Sequence, residues 1–208
     1  MPRKKLIYTH EYPYHITARS NNREWFYLPK HECWDVFSDL LTKISIRFHF
    51  QIHAFVLMDN HYHMIGTTSK HAPLSMVMEW FQRSANRIIN DKAGRTNHLF
   101  GGPYKASLIT SEVYYYHVLR YVYQNPLVVG LSRSCEEYSF STLGNNSVPL
   151  STPLTGIAAL VPLDRTELLE YLNAQLKQDE LNTIRKAIKR TKFQFPKKDV
   201  PTGLQTHN

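Results

Sequence analysis

The alternation of apolar and polar positions predicts an α+β domain. Period-two alternation and a β-branched, aromatic composition predict four strands, at residues 14–19, 51–58, 61–67 and 104–109. Apolar positions recur at helical spacing over 30–47 and again after Pro73, which predicts one helix in each place. The order strand, helix, strand, strand, helix, strand is that of a ferredoxin-like βαββαβ sandwich. We expect an antiparallel sheet with helices on one face and the other face available for a ligand.

The remaining chain adds helices at both ends of a polar segment. A third helix is expected from an N-cap at Ser111 to Asn125, where Pro126 should end it. The Asn-, Ser-, Thr- and Pro-rich stretch 144–163 indicates a linker or a loop draped over the domain. Helical spacing returns at Asp164 with a capping box to Glu167, runs through Leu168, Leu172 and Leu176, and continues into a basic segment. The predicted units are a domain at 1–143, the segment 144–163, and a helical basic extension at 164–208 with a disordered tail.

Charge and composition suggest a polyanionic partner. The 208 residues carry a net charge of +8, and 12% of them are aromatic, which suits stacking on unpaired bases. A merely basic surface would give the same numbers. Cys33 and Cys135 lie far apart, which speaks against a zinc knuckle or a disulfide framework and fits a reducing compartment. No apolar run reaches membrane-spanning length, so we expect a cytoplasmic protein without membrane contact.

The strongest candidate for chemistry is a pair of histidines in the third strand. His61 and His63 are one residue apart, so a strand presents both imidazoles on the same face. Two neutral imidazoles can hold one divalent cation and leave coordination positions for a substrate phosphate. Two half-buried strand residues would show the same spacing.

The third helix offers a nucleophile and a further ligand. Tyr121 and Asn125 lie one turn apart on the same helix face, so the phenol could attack a phosphate while the amide oxygen binds the cation. Asn125 would equally suit a helix C-terminus. His117, one turn before Tyr121, is either a ligand or base, or a supporting residue of the wall. Four other tyrosines compete with Tyr121 for the nucleophilic role, namely Tyr114, Tyr115, Tyr116 and Tyr123.

Three segments in this order resemble the single-tyrosine HUH transposases, and most closely their REP-associated tyrosine branch in bacteria. They are the blocks YHITARSNNR at 14–23, DNHYH at 59–63 and LRYVYQNPLVVGL at 119–131. The resemblance covers residues 10–143, and the basic stretch 184–190 is similar to a helix of that branch. The chain departs from the family pattern in having Ser20 where Gly is usual and in lacking an Arg near Pro103.

This resemblance implies a metal-dependent endonuclease and strand transferase acting on single-stranded DNA, with hairpin or palindromic ends as its partner. It implies that His61, His63 and Asn125 bind Mg²⁺ or Mn²⁺ and that Tyr121 attacks the scissile phosphate, giving a 5′-phosphotyrosine and a free 3′-hydroxyl. The covalent link keeps the phosphodiester energy, so rejoining needs no nucleotide cofactor. Members of the family act as a monomer or a homodimer, and the sequence leaves both open.

Basic residues and one histidine are expected to contact DNA, although each arginine or lysine would also serve as a plain surface charge. The histidine would either stack on a base or be half-buried. The expected contacts are His15, Arg19, Arg23, Arg83, Arg87, Lys105, Arg120, Arg185, Lys189 and Arg190. Two other functions remain open: a non-catalytic single-stranded nucleic-acid-binding module on a ferredoxin-like sheet, and a metal-dependent phosphodiesterase that uses water.

Overall fold

The computed structural model of the chain describes residues 6–150 and 164–195. The four predicted strands are present, and so are the three helices predicted before residue 144. In chain order the elements are β1 (Tyr14–Arg19), a single 3-10 turn (Asn21–Arg23), α1 (Lys30–Phe48), β2 (Gln51–Leu57), β3 (His61–Thr67), α2 (Leu74–Ala93), β4 (Lys105–Leu108), α3 (Glu112–Val128), α4 (Arg165–Asn173) and α5 (Gln178–Ala187).

The sheet has the strand order β2-β3-β1-β4, and every neighbouring pair is antiparallel. This is the order of a ferredoxin-like sandwich, so the predicted α+β fold class is confirmed. Helices α1 and α2 pack on one face of the sheet, around fully buried aromatic side chains such as Phe37, Tyr62 and Phe81. The even-numbered residues of β3 point into this layer, which turns His61 and His63 toward the opposite face.

The opposite face is not open, contrary to our expectation. Helix α3 and the C-terminal extension cover it, and Ala54, Val56 and Ile65 of the sheet are buried in one apolar cluster with them. The extension contributes Leu172 and Ile184 to the same cluster. The sequence prediction failed because it assigned only α1 and α2 to the sheet, whereas the apolar stripes of three later helices also need a partner surface.

Helix α3 continues to Val128 and so passes through Pro126, which we expected to end it. A proline inside a helix cannot donate to the carbonyl four residues earlier, here that of Val122. The side-chain amide of Asn125 compensates, since its Nδ2 donates to the Tyr121 carbonyl oxygen at 2.7 Å and lies 3.4 Å from the carbonyl oxygen of Val122. This side-chain hydrogen bonding replaces the missing backbone hydrogen bond, and the helix continues to Val128.

The extension forms two helices where the sequence suggested continuous helical spacing. The predicted capping box of Asp164 and Glu167 is present, but α4 ends at Asn173 and α5 begins at Gln178. After α5 the chain runs beside β4, where the Leu108 N–H donates to the Thr191 carbonyl and the Phe193 N–H to the Leu108 carbonyl. The basic extension is therefore joined to the edge of the sheet by backbone hydrogen bonds.

The predicted segment 144–163 is described only as far as Leu150, and within that part Val148 is buried against the α1 and α2 layer. Residues 151–163 and the predicted tail 199–208 lie outside the described residues. Across the portions of the chain that the structure covers, none of the helices has the length and apolar character needed to traverse a bilayer.

Candidate active site

The strand register places the two histidines among polar residues of the neighbouring strands. Residues that pair across antiparallel strands share a face, and Arg19 pairs with His61 while Thr17 pairs with both His63 and Lys105. Helix α3 crosses this face of the sheet. The candidate site therefore lies where the end of β1, the start of β3 and the middle of α3 meet.

In both histidines, Nδ1 makes a hydrogen bond, and Nε2 makes none within the part of the chain that the structure describes. Nδ1 of His61 donates to the Asn60 side-chain oxygen at 2.8 Å, and Nδ1 of His63 lies 2.9 Å from Nε2 of His15. Metal-binding histidines usually make such a bond with their second nitrogen, because it fixes the ring orientation and the tautomer. With His63 Nδ1 as the donor, the Nε2 atoms of both rings have no hydrogen-bond partner among the described residues.

Burial keeps these imidazoles neutral. It lowers the pKa of His61 to about 4, with a smaller contribution from the nearby positive charge of Arg19. Burial also holds the pKa of His63 well below its usual value, and the charges of Arg19 and Arg185 act in the same direction. A neutral imidazole has a free lone pair for a cation, so both rings are ready to bind metal at neutral pH.

His15 lies behind His63 and does not face an open surface. Only 1% of it is exposed, and its ring stacks on that of His63 with 5.2 Å between the centroids. Burial lowers its pKa to about 3, so it remains a neutral partner for His63. The expected stacking of His15 on a DNA base does not fit this position, because the layer formed by α3 covers the ring. Its hydrogen bond instead orients His63.

Tyr121 packs directly against the histidine pair. Its ring meets His63 edge-on at a centroid distance of 5.5 Å, and 6% of the residue is exposed. The side chains of Arg185 and Asn125 lie close to its phenol. Burial raises the pKa of Tyr121 above its ordinary value of 10, although Arg185, Asn125 and Arg19 partly oppose that rise. The phenol is therefore protonated at neutral pH, with the Arg185 guanidinium nearby.

The competing residues of α3 lie elsewhere in the core. Tyr115 contacts His53, the Tyr123 hydroxyl hydrogen-bonds to Thr142, and Tyr116 packs on Tyr171. Tyr114 packs on Phe193 and Phe195, and His117 meets Phe195 edge-on with 5.2 Å between the ring centroids. Among the five tyrosines of α3, which the structure describes completely, Tyr121 is the one in ring contact with His63. His117 supports the wall of the cluster.

The donor set fits a divalent cation with two nitrogen ligands and one oxygen ligand. Within residues 6–150 and 164–195, no group of three His, Cys, Asp or Glu side chains forms a metal cluster. Asn125 carries a hard oxygen donor, Oδ1, while its Nδ2 donates to the carbonyl oxygens of Tyr121 and Val122 in its own helix. Two imidazoles and one amide oxygen would leave coordination positions open for a substrate.

Most of the expected DNA contacts lie at the surface. The exposed ones are Arg19, Arg23, Arg83, Arg87, Lys105, Lys189 and Arg190. Arg120 is an exception, because its side chain is 12% exposed, lies 3.9 Å from Glu180 and covers the ring of Tyr171. It joins α3 to the extension, and that position is a correction to the expected DNA contact. Arg185 is half-buried and reaches Tyr121 from α5.

Two polar residues of the site were missed in the sequence. Asn60 was not singled out, yet its side chain accepts from His61 and donates to the Arg23 carbonyl at 2.8 Å. Gln124 is 2% exposed, and it hydrogen-bonds to the backbone at the end of α4 and in the segment that follows it. The position of Asn60 next to His61 was an available signal for a hydrogen bond, whereas nothing local to Gln124 indicated its distant partners.

Comparisons with known proteins identify the family of the chain. The family described as "Transposase IS200 like" matches residues 8–125, which include every residue of the candidate metal site and the nucleophile. No curated protein matches the chain.

Two solved structures are similar to the chain. One is a REP-associated tyrosine transposase bound to a REP hairpin, at 17% identity and a TM-score of 0.55, covering 74% of this chain and 94% of that one. At that identity the likeness establishes the fold alone. A protein named as a transposase from Deinococcus radiodurans R1 is 12% identical, with a TM-score of 0.38 and coverage of 51% of this chain and 82% of its own. The match over more than half of the sequence shows that the chain belongs to the IS200-like transposase family.

Proposed function

We propose that this transposase cleaves and rejoins single-stranded DNA, with Tyr121 as the nucleophile and His61, His63 and Asn125 as the ligands of a divalent cation. The observation that carries the proposal is the contact of Tyr121 with His63, since it places a phenol beside two neutral imidazoles whose Nε2 atoms have no partner among the described residues. Membership of a transposase family supports the DNA substrate.

The chemistry is a phosphoryl transfer. The phenol oxygen of Tyr121 forms a bond to phosphorus, the bond from phosphorus to the 3′-oxygen breaks, and the phenol proton leaves while the 3′-oxygen takes one up. The product is a 5′-phosphotyrosine and a free 3′-hydroxyl. A second strand's 3′-hydroxyl reverses the step, so joining needs no nucleotide cofactor. Mg²⁺ or Mn²⁺, when bound, would withdraw electron density from the phosphate and lower the pKa of a nearby phenol.

We further propose DNA with hairpin or palindromic ends as the partner. The REP-associated transposase that shares this fold is bound to a hairpin in its own structure, which supports the proposal. The exposed arginines and lysines at the surface provide phosphate contacts that do not read sequence. Both a monomer and a homodimer are compatible with the site, because His61, His63, Tyr121 and Asn125 all come from one chain.

A non-catalytic nucleic-acid module on an open sheet is less favoured. Such modules stack bases on exposed aromatic residues of the sheet. Here α3 and the extension bury Ala54, Val56 and Ile65 on the face that would be used.

The proposal is tested by incubating the protein with Mn²⁺ and labelled hairpin oligonucleotides whose single-stranded flanks are randomised. We expect a protein–DNA adduct that resists denaturation, and we expect it to be absent with Tyr121→Phe and with His61→Ala. Tyr115→Phe is the matched control, because that tyrosine lies on the same helix but contacts His53. An adduct that persists in Tyr121→Phe would refute the choice of nucleophile. Cleavage without any adduct would indicate water as the nucleophile, and binding without cleavage would indicate the non-catalytic module.

A further inference from the structure

The C-terminal extension reaches the candidate active site through one residue of α5. The guanidinium of Arg185 lies close to the phenol oxygen of Tyr121, the atom that bonds to phosphorus in the proposed reaction. Arg185 is half-buried, whereas the next residue, Lys186, is exposed. Of these two neighbouring positive charges on one helix, one is therefore turned to the nucleophile and the other to solvent.

The position of α5 is fixed by side chains that flank Tyr121 on α3. Gln124 donates to the carbonyl oxygens of Leu172 and Ala174 at 2.7 Å, and it accepts from the Leu176 N–H at 3.3 Å. Arg120 forms an ion pair with Glu180, which lies one turn before Ile184 on α5. These contacts come from the residues immediately before Tyr121 and Asn125 in sequence. One helix therefore presents the nucleophile on one side and holds the extension on the other.

Apolar packing also holds the helix that carries Arg185. Leu181, Ile184 and Ala187 recur at three-residue spacing on α5, and all three are buried in the cluster beneath α3. Arg185 follows Ile184 directly, at the border of this buried stripe. Because its backbone cannot move far without exposing the stripe, the guanidinium remains within reach of Tyr121.

We propose that Arg185 is a catalytic residue that binds the scissile phosphate, so that the C-terminal extension completes the active site. The inference rests on the proposed function. An approaching phosphate must displace the guanidinium from the phenol oxygen, because the two compete for the same place. A planar guanidinium binds phosphate oxygens more strongly than a phenol, through paired charge-assisted hydrogen bonds. Arg185 thus exchanges its phenol contact for a phosphate contact and frees Tyr121 to attack.

Arg19 shares this task from the opposite element. It lies at the end of β1, pairs with His61 across the sheet, and its charge acts on both His63 and Tyr121. The charges of two guanidinium groups from opposite ends of the chain therefore act on the phenol. Donors aimed at the charge that develops on a phosphate stabilise the transition state more than the bound substrate. Loss of Arg185 should therefore slow the chemical step more than it weakens binding.

The experiment compares Arg185→Gln, Arg185→Lys and Lys186→Gln in the full chain, with the randomised hairpin oligonucleotides and Mn²⁺. Single-turnover adduct formation is measured at saturating protein, and the dissociation constant is measured without metal. We expect Arg185→Gln to slow adduct formation about 100-fold, as removal of one charge-stabilising donor does, with a change in dissociation constant of less than about 3-fold. Arg185→Lys should restore part of the rate, and Lys186→Gln should affect at most the dissociation constant.

Other results would overturn the inference. An unchanged rate in Arg185→Gln shows that the residue does not act on the reacting groups, and a faster rate shows that it only covers the phenol. Equal losses of DNA binding in Arg185→Gln and Lys186→Gln, with no loss of rate, would show that Arg185 is an ordinary contact to the DNA backbone. If the wild-type protein forms no adduct, the proposed function fails and this inference fails with it. Thermal unfolding of each variant identifies any loss that comes from misfolding.

Discussion

Gln124→Met should release the C-terminal extension from α3 while leaving the rest of the fold in place. Methionine fills nearly the same volume, so the substitution removes three hydrogen bonds without opening a cavity. The bonds to Leu172 and Leu176 are buried, and the one to Ala174 is partly buried. At about 1 kcal/mol for each hydrogen bond, the docked state loses about 3 kcal/mol. Docking of the extension is then about a hundredfold less favourable.

Hydrogen exchange with mass spectrometry measures this effect directly. Amides of α4 and α5 should exchange through openings that cost about 3 kcal/mol less than in the wild-type protein, while amides of α1 and α2 should be unaffected. Gln178→Met is the matched control, because that glutamine is on α5 and bonds only to the exposed side chain of Asn182. Exchange of α4 and α5 at the wild-type rate in Gln124→Met, or an equal loss of protection in Gln178→Met, would show that Gln124 does not hold the extension on α3.

Two further predictions concern histidines. Asn60→Ala removes the acceptor that orients His61, so the affinity for Mn²⁺, measured by calorimetry, should fall 10- to 100-fold. Replacement of the exposed Asn146 by Ala should leave that affinity unchanged. Equal Mn²⁺ affinities of Asn60→Ala and the wild-type protein would contradict the orienting role. Burial lowers the pKa of His53 to about 4, so below about pH 6.5 the unfolded state binds a proton that the folded state refuses. This histidine should therefore lower the free energy of unfolding by about 1.4 kcal/mol per pH unit between pH 6.5 and 4. Urea unfolding at several pH values should show that the free energy of unfolding of His53→Gln depends less steeply on pH, by that amount. An unchanged pH dependence would exclude His53 as its source.

Local patterns sufficed to predict the elements of the fold and the facing of the histidine pair. Period-two alternation places His61 and His63 on one face whatever the tertiary structure is. The one-turn spacing of Tyr121 and Asn125 is likewise a property of any helix. These inferences needed no knowledge of which elements meet.

The errors arose where distant segments meet. The apolar stripe of the extension could have packed on any surface, so the sequence did not reveal that α4 and α5 cover the second face of the sheet. Arg120 was expected to contact DNA because a lone arginine looks the same in sequence whether it faces solvent or Glu180. The end of α3 was misplaced for a more local reason, since the side chain of Asn125 donates to the Val122 carbonyl, which Pro126 would otherwise leave without a donor. A side chain acting as a substitute for a backbone amide is not part of the usual proline rule.

The docking of the extension on α3 has a consequence for the timing of activity during synthesis. Chains leave the ribosome from the N-terminus and their N-terminal parts fold first, so the sheet and α3 can assemble before α5 emerges. The histidine pair and Tyr121 would then be in place while Arg185 is still absent. With Arg185 acting at the scissile phosphate, a nascent chain can bind DNA before it can cut at full rate. The proposed DNA cleavage would reach its full rate only when translation of the C-terminal segment is complete.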